Sequence, residues 1–443
     1  MLSAALCGML LVGSFVITRW SLLAGLVATL TVGYAFGIVR AYLAQAAAYF
    51  LFDAALLGLY AGALFHGLSI PARGLLRWFI VLAGWPFVVL ALFHQDLLVE
   101  LVGLRAAVLM LPLMLIATRL TDEDVRRLAL CVAVLNVLAF AVAGAEFYFG
   151  VAAIYPENDA TAIIYQSRDV AEFTEYRIPA TFSSSHAYGG TMVAGLPVLV
   201  GAWAIRRRRQ GAAATFLLLG VFVSVVAVFV AAARTHFLVA AALLLVVTFS
   251  GRLRLAAWLG WVALLSAVGW IVASEERLQR FLTLQDPEFL AERLGTSINA
   301  RFIDLLFEFP FGDGLGSGGT NIPSFLLDRI PPPLRLESEY SRLLLEQGIV
   351  GLGLWVCFIV WLGWRGLARL RAHPDLGRLL CLVCVGAFFA SGLIGIGLFV
   401  SIPGSAFFFL QIGMLLSERT RRPADRRPGG AFSVGQRAPA GVG

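Results

Sequence analysis

The sequence predicts an all-α, polytopic integral membrane protein with about 12–13 transmembrane helices and one large non-cytoplasmic loop between late helices. Three observations carry this expectation. The chain of 443 residues is 60% hydrophobic and 14% charged, and its mean hydropathy of +0.85 lies far outside the range of soluble globular proteins. Its apolar runs are of about 17–25 residues, each long enough to cross a bilayer as a helix. The runs are continuous rather than alternating, which argues against a barrel.

In order, the runs place spans near 2–18, 21–39, 44–66, 78–93, 97–118, 128–150, 187–205, 211–232, 235–250, 255–273, 341–364, 379–398 and 402–417. The first has no basic n-region and no A-x-A cleavage site, so it reads as a retained helix. Thr121, in the charged connection 119–127, is placed to cap the following helix. All basic side chains are Arg, for the chain contains no Lys, and they give a formal net charge of +7. Arg206 to Arg209, Arg252 with Arg254, Arg365 to Arg378 and the tail from Arg419 to Arg427 flank apolar runs, as positive-inside signals do. No basic, aromatic-interleaved soluble domain is present, so the positive charge does not point to nucleic acid.

Counting outward from those anchors puts 151–186 and 274–340 across the membrane from the cytoplasm. Between Glu275 and Tyr340 there are eleven Asp and Glu against six Arg, the acidic balance of a non-cytoplasmic loop. The chain thus divides into a helix bundle over 1–273 with a first outer loop near 151–186, a large outer loop over 274–340, and C-terminal helices over 341–417. The segment 418–443, rich in Arg, Pro and Gly, reads as a disordered cytoplasmic tail. Cys7, Cys131, Cys357, Cys381 and Cys384 all lie within apolar runs, which supports neither a disulfide framework nor a zinc site. No internal repeat of the kind found in many transporters is evident.

Three outer stretches combine ionisable groups with apolar helices: Arg177-Ile-Pro-Ala-Thr-Phe182-Ser-Ser-Ser-His186, Arg234-Thr-His236, and Glu337 to Glu346. The last follows Arg301 and the Gly-rich turn Phe311–Gly319. A charge at the edge of a span is costly unless it has a partner or a task, and Arg234 sits between two apolar runs with almost no loop. Glu346 falls four residues after Arg342 and seven after Glu339, a spacing that permits a ladder of salt bridges along one helix face. Glu346 is therefore read as structural, whereas Glu337 stands outside that spacing. The Gly-rich run does not open a Rossmann helix and reads as a tight loop.

At these residues the sequence resembles the O-antigen ligase and O-antigen polymerase superfamily of bacterial envelope proteins. That family carries Arg-x-x-Gly-x-Phe followed by Pro-Asn on its first large periplasmic loop, an Arg at the outer end of a later helix, and a closing His-Asn-x-Tyr-Leu-x-x-Leu-x-Glu-x-Gly. Arg177, Phe182 and His186 stand where the first motif has Arg, Phe and Asn, with Ala180 and Ser185 in place of its Gly and Pro. Arg234 stands for the later Arg, and Tyr340, Leu344, Glu346 and Gly348 match the closing motif. Glu337 occupies the place of the His, which favours a polymerase over a ligase.

The resemblance implies an active site at the periplasmic face of the bacterial inner membrane. It also implies a polyprenyl-diphosphate-linked oligosaccharide donor, a glycan acceptor, and a flippase and chain-length regulator as partners, with no cofactor. It assigns catalysis to Glu337, Arg234 and Arg177, and substrate binding to Arg301, Glu339, Tyr340 and His186. Arg side chains would stabilise the departing diphosphate, and a carboxylate would take the proton of the acceptor hydroxyl. Two rivals stand beside this reading: a ligase acting on another acceptor, and a lipid-linked oligosaccharide flippase or transporter. Asp53, Glu100 and Arg105, in or near spans, keep the transporter open.

Overall fold

A computed structural model describes residues 2–66, 73–92, 96–166, 176–206, 211–250, 269, 302–319, 322–330, 336, 338–395, 397, 399 and 401–417. Among these, the regular structure is helical and no strand is present. The helices are α1 (Leu2–Trp20), α2 (Leu22–Leu43), α3 (Leu51–Leu64), α4 (Arg73–Leu92), α5 (Leu97–Val108), α6 (Pro112–Ala117), α7 (Asp122–Phe149) and α8 (Ala162–Gln166). They continue with α9 (Ser185–Arg206), α10 (Ala212–Val230), α11 (Arg234–Phe249), α12 (Phe302–Glu308), α13 (Glu339–Ala372), α14 (Leu376–Ser391) and α15 (Gly404–Leu416). By length and composition, nine stretches of the described chain can cross a membrane, and α11, α14 and α15 are shorter apolar helices. The chain is a multi-pass membrane protein.

Each expected span has a helical counterpart except 255–273, of which residue 269 alone is described; the tail 418–443 and all of 274–301 lie outside the described residues. The differences have local causes. The expected helix at 44–66 opens as a 3-10 turn over Ala46–Phe50. The run 97–118 is divided, because Pro112 cannot donate to the ladder and instead starts α6. Helix α7 begins earlier than its apolar run because Thr121 and Asp124 close a capping box: Asp124 N–H donates to Thr121 Oγ1 at 3.2 Å, and Thr121 N–H to Asp124 Oδ2 at 3.0 Å. Helix α13 contains a break at Gly348, where φ is +68°.

The enclosed centre is built on α9 and α15. Every residue of α15 is buried, and about four-fifths of the apolar window of α9 is as well. Helix α1 lies at the margin, with Met9, Val12 and Val16 exposed, as suits a lipid-facing surface. Small residues set the closest approaches: a Cβ on Gly201 would lie 2.9 Å from the Cα of Gly377, so α9 and α14 meet backbone to backbone.

Contacts fix which ends of the helices lie together. Ser3 donates to Gln45 at 2.6 Å, joining the start of α1 to the end of α2. Ile38 N–H, near the end of α2, donates to Thr181 O just before α9 at 3.1 Å. Trp85 donates to Gln347 O near the start of α13, whereas Gly74, at the start of α4, faces Trp361 further along it. Arg177, Arg234 and Glu339 therefore belong to one end of the bundle. Arg19, Arg73, Arg119, Arg126, Arg127, Arg365, Arg369 and Arg371 belong to the other, where Asp122, Glu123, Asp124 and Asp375 are the described acids. The excess of Arg at that second end is the distribution expected of a cytoplasmic face.

Candidate functional site

The approach to α9 is fixed by a backbone turn. Ala180 has φ +51°, a left-handed conformation that costs an ordinary residue about 1–2 kcal/mol. Its N–H donates to Glu146 Oε2 at 2.8 Å. Tyr155 Oη, 2.6 Å from Ala180 O and 3.0 Å from Phe182 O, shares its hydrogen between the two carbonyls. Burial pushes the Tyr155 phenol well above its ordinary range, which keeps it a donor. Phe182 stacks on Tyr188 with ring centroids 5.5 Å apart and tilts against Tyr34 at 5.3 Å. Gly37 gives this turn its room, because a side chain there would overlap the backbone of Phe182 and Ser183. The turn delivers Arg177, half-buried, beside the exposed His186 in the first turn of α9: Arg177 Nη1 donates to His186 Nε2 across 3.1 Å.

Arg234 reaches the same end by a second turn. Ala231 to Ala233 link α10 to α11, with Ala232 at φ +50° and its N–H donating to Phe229 O at 2.8 Å. The turn fits because α9 presents Gly189 and Gly190 to it. A Cβ on Gly190 would lie 3.0 Å from His236 Nε2, and one on Gly189 3.2 Å from Ala233 Cβ. The His186 and His236 rings are 6.2 Å apart, and Phe388 of α14 also lies 6.2 Å from His236. Arg177 and His186 therefore stand with Arg234 and His236 where α9 and α11 begin, as two Arg and two His from separate parts of the chain.

On the far side of α14 lies a buried ionic array. Arg342 is 1% exposed and reaches Glu346 Oε2 at 2.6 Å, while its Nε donates to Glu339 Oε1 at 2.8 Å and its Nη2 bonds the same oxygen. Two carboxylates facing one guanidinium leave an excess of negative charge, which backbone donors spread: Gly397 N–H donates to Glu339 Oε2 at 2.7 Å, and Gly316 N–H bonds Glu346. The salt-bridge ladder expected from the spacing is thus formed, with Arg342 at its centre. Glu339 is fully buried and held by this array. Ser338 caps α13, its Oγ accepting from Tyr340 N–H and donating to Gly392 O at 3.1 Å.

The helix is interrupted at Gly348, and the turn at Pro310–Asp313 serves the groups this frees. Ile349 N–H donates to Pro310 O at 2.9 Å, and Asp313 N–H to Leu345 O at 2.7 Å. A Cβ on Gly348 would collide with the Phe311 backbone. The Gly-rich run is therefore a tight turn, with Gly312, Gly314, Gly316 and Gly319 all at positive φ. It is seated against α13 rather than free in solvent.

Two consecutive residues of α14 join the two clusters. Phe388 touches His236, and Phe389 O accepts from the Tyr340 hydroxyl at 2.8 Å. The residues assigned from sequence are thus distributed as follows. Arg177 bonds His186; Arg234 opens α11 at the same end, where the His236 ring lies 6.2 Å from that of His186; Glu339 and Tyr340 meet the end of α14; Glu337 and Arg301 lie outside the described residues. Asp53 and Arg105, two of the charges that kept a transporter open, pair with each other, Asp53 from the first turn of α3 and Arg105 from the last turn of α5.

Glu146 and Tyr155 were not singled out by the sequence reading. A signal for Glu146 was present, an acid inside an apolar run, which is rarely there without a task. Tyr155 carried no such signal. No group of three or more His, Cys, Asp and Glu side chains suited to a metal ion occurs among the described residues. No family model, no curated protein and no solved structure matches this chain.

Proposed function

We propose that the protein is an integral-membrane glycosyltransferase that joins polyprenyl-diphosphate-linked oligosaccharide repeats into an O-antigen, capsule or exopolysaccharide at the periplasmic face of a bacterial inner membrane. The observation that carries this reading is the gathering of Arg177, His186, Arg234 and His236 at one end of the bundle, opposite the Arg-rich end. The left-handed backbone at Ala180 supports the resemblance independently. It occurs at the position where the resembling family carries Gly, the residue for which that conformation costs least.

The chemistry follows from the donor. The acceptor sugar hydroxyl attacks the anomeric carbon of the donor, a C–O bond forms, and the bond to polyprenyl diphosphate breaks with its electron pair leaving on phosphate oxygen. Negative charge grows on the diphosphate, and Arg177 and Arg234 stabilise it with charge-assisted hydrogen bonds. His186, within reach of Arg177, orients that guanidinium or meets the same anion. Glu337 takes the hydroxyl proton as general base. Arg301 and Tyr340 contact substrate. Glu339, held by Arg342, supports the segment that carries Glu337. A lipid diphosphate is already an activated donor, so the reaction calls for no nucleotide cofactor. A flippase would supply the repeat, and a chain-length regulator would set the product.

Arg234→Ala and Glu337→Gln are each expected to abolish polymer formation while the protein still inserts and the lipid-linked repeat still reaches the outer leaflet. Normal polymer from both variants would remove these residues from the mechanism.

A further inference from the structure

We infer that Glu146 and Tyr155 form a clamp that fixes the turn Ala180–Phe182 and thereby sets where the Arg177 guanidinium stands, so that Glu146 is a positioning residue. Its functional meaning rests on the diphosphate role proposed for Arg177; its geometry does not.

Five of the six backbone polar groups of the turn have a partner. Ala180 N–H is taken by Glu146, the Ala180 and Phe182 carbonyls by Tyr155, Thr181 O by Ile38 N–H, and Phe182 N–H by Pro179 O. Two of these partners are side chains from outside the turn, and both close on the residue with left-handed φ. Glu146 is fully buried in the last turn of the apolar helix α7. The bond to Ala180 gives that costly placement a purpose. Arg177 lies three residues before Ala180, with no helix or strand between them to hold it. Without the clamp, Ala180 relaxes to negative φ and the turn no longer presents Arg177 to His186.

The chemistry of the clamp predicts which replacements work. Glu146→Gln keeps a carbonyl oxygen for Ala180 N–H and holds the turn. Glu146→Leu leaves that N–H buried and unpaired. Ala180→Gly removes the penalty for the left-handed conformation and compensates in part for the lost clamp.

The test uses the full chain in nanodiscs, with two readouts: amide hydrogen exchange over 177–186, and the affinity for farnesyl diphosphate as a probe, with Arg177→Ala as the unbound control. Glu146→Gln is expected within about threefold of wild type on both readouts. Glu146→Leu and Tyr155→Phe should each speed exchange in that segment and weaken binding by about tenfold or more, and Glu146→Leu/Ala180→Gly should recover most of the loss. Unchanged exchange in Glu146→Leu would overturn the clamp. So would faster exchange spread evenly through α7 and α9, which marks a general packing role, or a Glu146→Gln variant as impaired as Glu146→Leu, which marks a proton-bearing role. Exchange that follows the clamp pattern while the wild type binds the probe no better than Arg177→Ala would sustain the clamp and reject the diphosphate reading of Arg177.

Discussion

Removing the guanidinium of Arg342 would strand two carboxylates in an interior that excludes water, and breaking a buried ion pair in this way costs about 3–5 kcal/mol. Arg342→Met should therefore lower the thermal unfolding temperature in detergent sharply. Glu339→Gln/Arg342→Met/Glu346→Gln, which leaves no charge, should regain much of the loss; a triple variant no better than the single one would show that the array is not the source. Asp96 titrates in the opposite setting, at the membrane boundary. It accepts from Arg329 at 3.0 Å and caps α5, and the Arg329 bond first, with the cap amides, holds its carboxyl below the usual range. A carboxyl with a lowered folded pKa stabilises above its unfolded value and loses that contribution as pH falls through the folded one. Protection of the 322–330 segment from hydrogen exchange should thus persist at neutral pH and fall only below about pH 4. Loss of protection between pH 8 and 6 would contradict the assignment.

At the scale of elements, the apolar runs were legible because a bilayer admits few alternatives to a helix of matching length, and helix ends could be read wherever charge resumed. Thr121 was legible as a cap for the same local reason. The break at Gly348 was not, since an apolar run reads alike whether its helix is continuous or interrupted, and the cause lies in a distant turn. Its consequence can be measured. Gly348→Ala places a side chain against the Phe311 backbone at a positive φ, so the turn at Pro310–Asp313 must move. Faster hydrogen exchange at Asp313 and Ile349 is expected, with a loss of at least about 1–2 kcal/mol in stability. Unchanged protection at both amides would show that the break is tolerant of a side chain.

At the scale of the molecule, the site was half legible. Arg177, Arg234 and the Glu337–Glu346 stretch could be picked out because charges beside apolar helices stand out against their surroundings. The placing of Arg177 and Arg234 at one end could not, because it depends on Gly189 and Gly190 admitting His236. The Glu339–Glu346 array is linked to that end through Phe388 and Phe389 of α14. Asp53 and Arg105 invited a transport reading from sequence, and their mutual pairing supplies a structural reason for both. The charge asymmetry between the two ends predicts orientation. A cysteine at Glu157 should react with an impermeant thiol reagent from the periplasm and one at Arg371 only after the inner membrane is opened, in a variant whose native Cys357 is replaced by Ser. The reverse pattern would place the Arg177 cluster in the cytoplasm and end the proposed mechanism. The most direct test is the glycan profile of cells carrying Arg177→Ala or Arg234→Ala. The account predicts single repeats accumulating on the polyprenyl carrier at the outer leaflet, with the protein present at wild-type level. Polymer of normal length, long chains left on the carrier, or repeats trapped on the cytoplasmic side would contradict it.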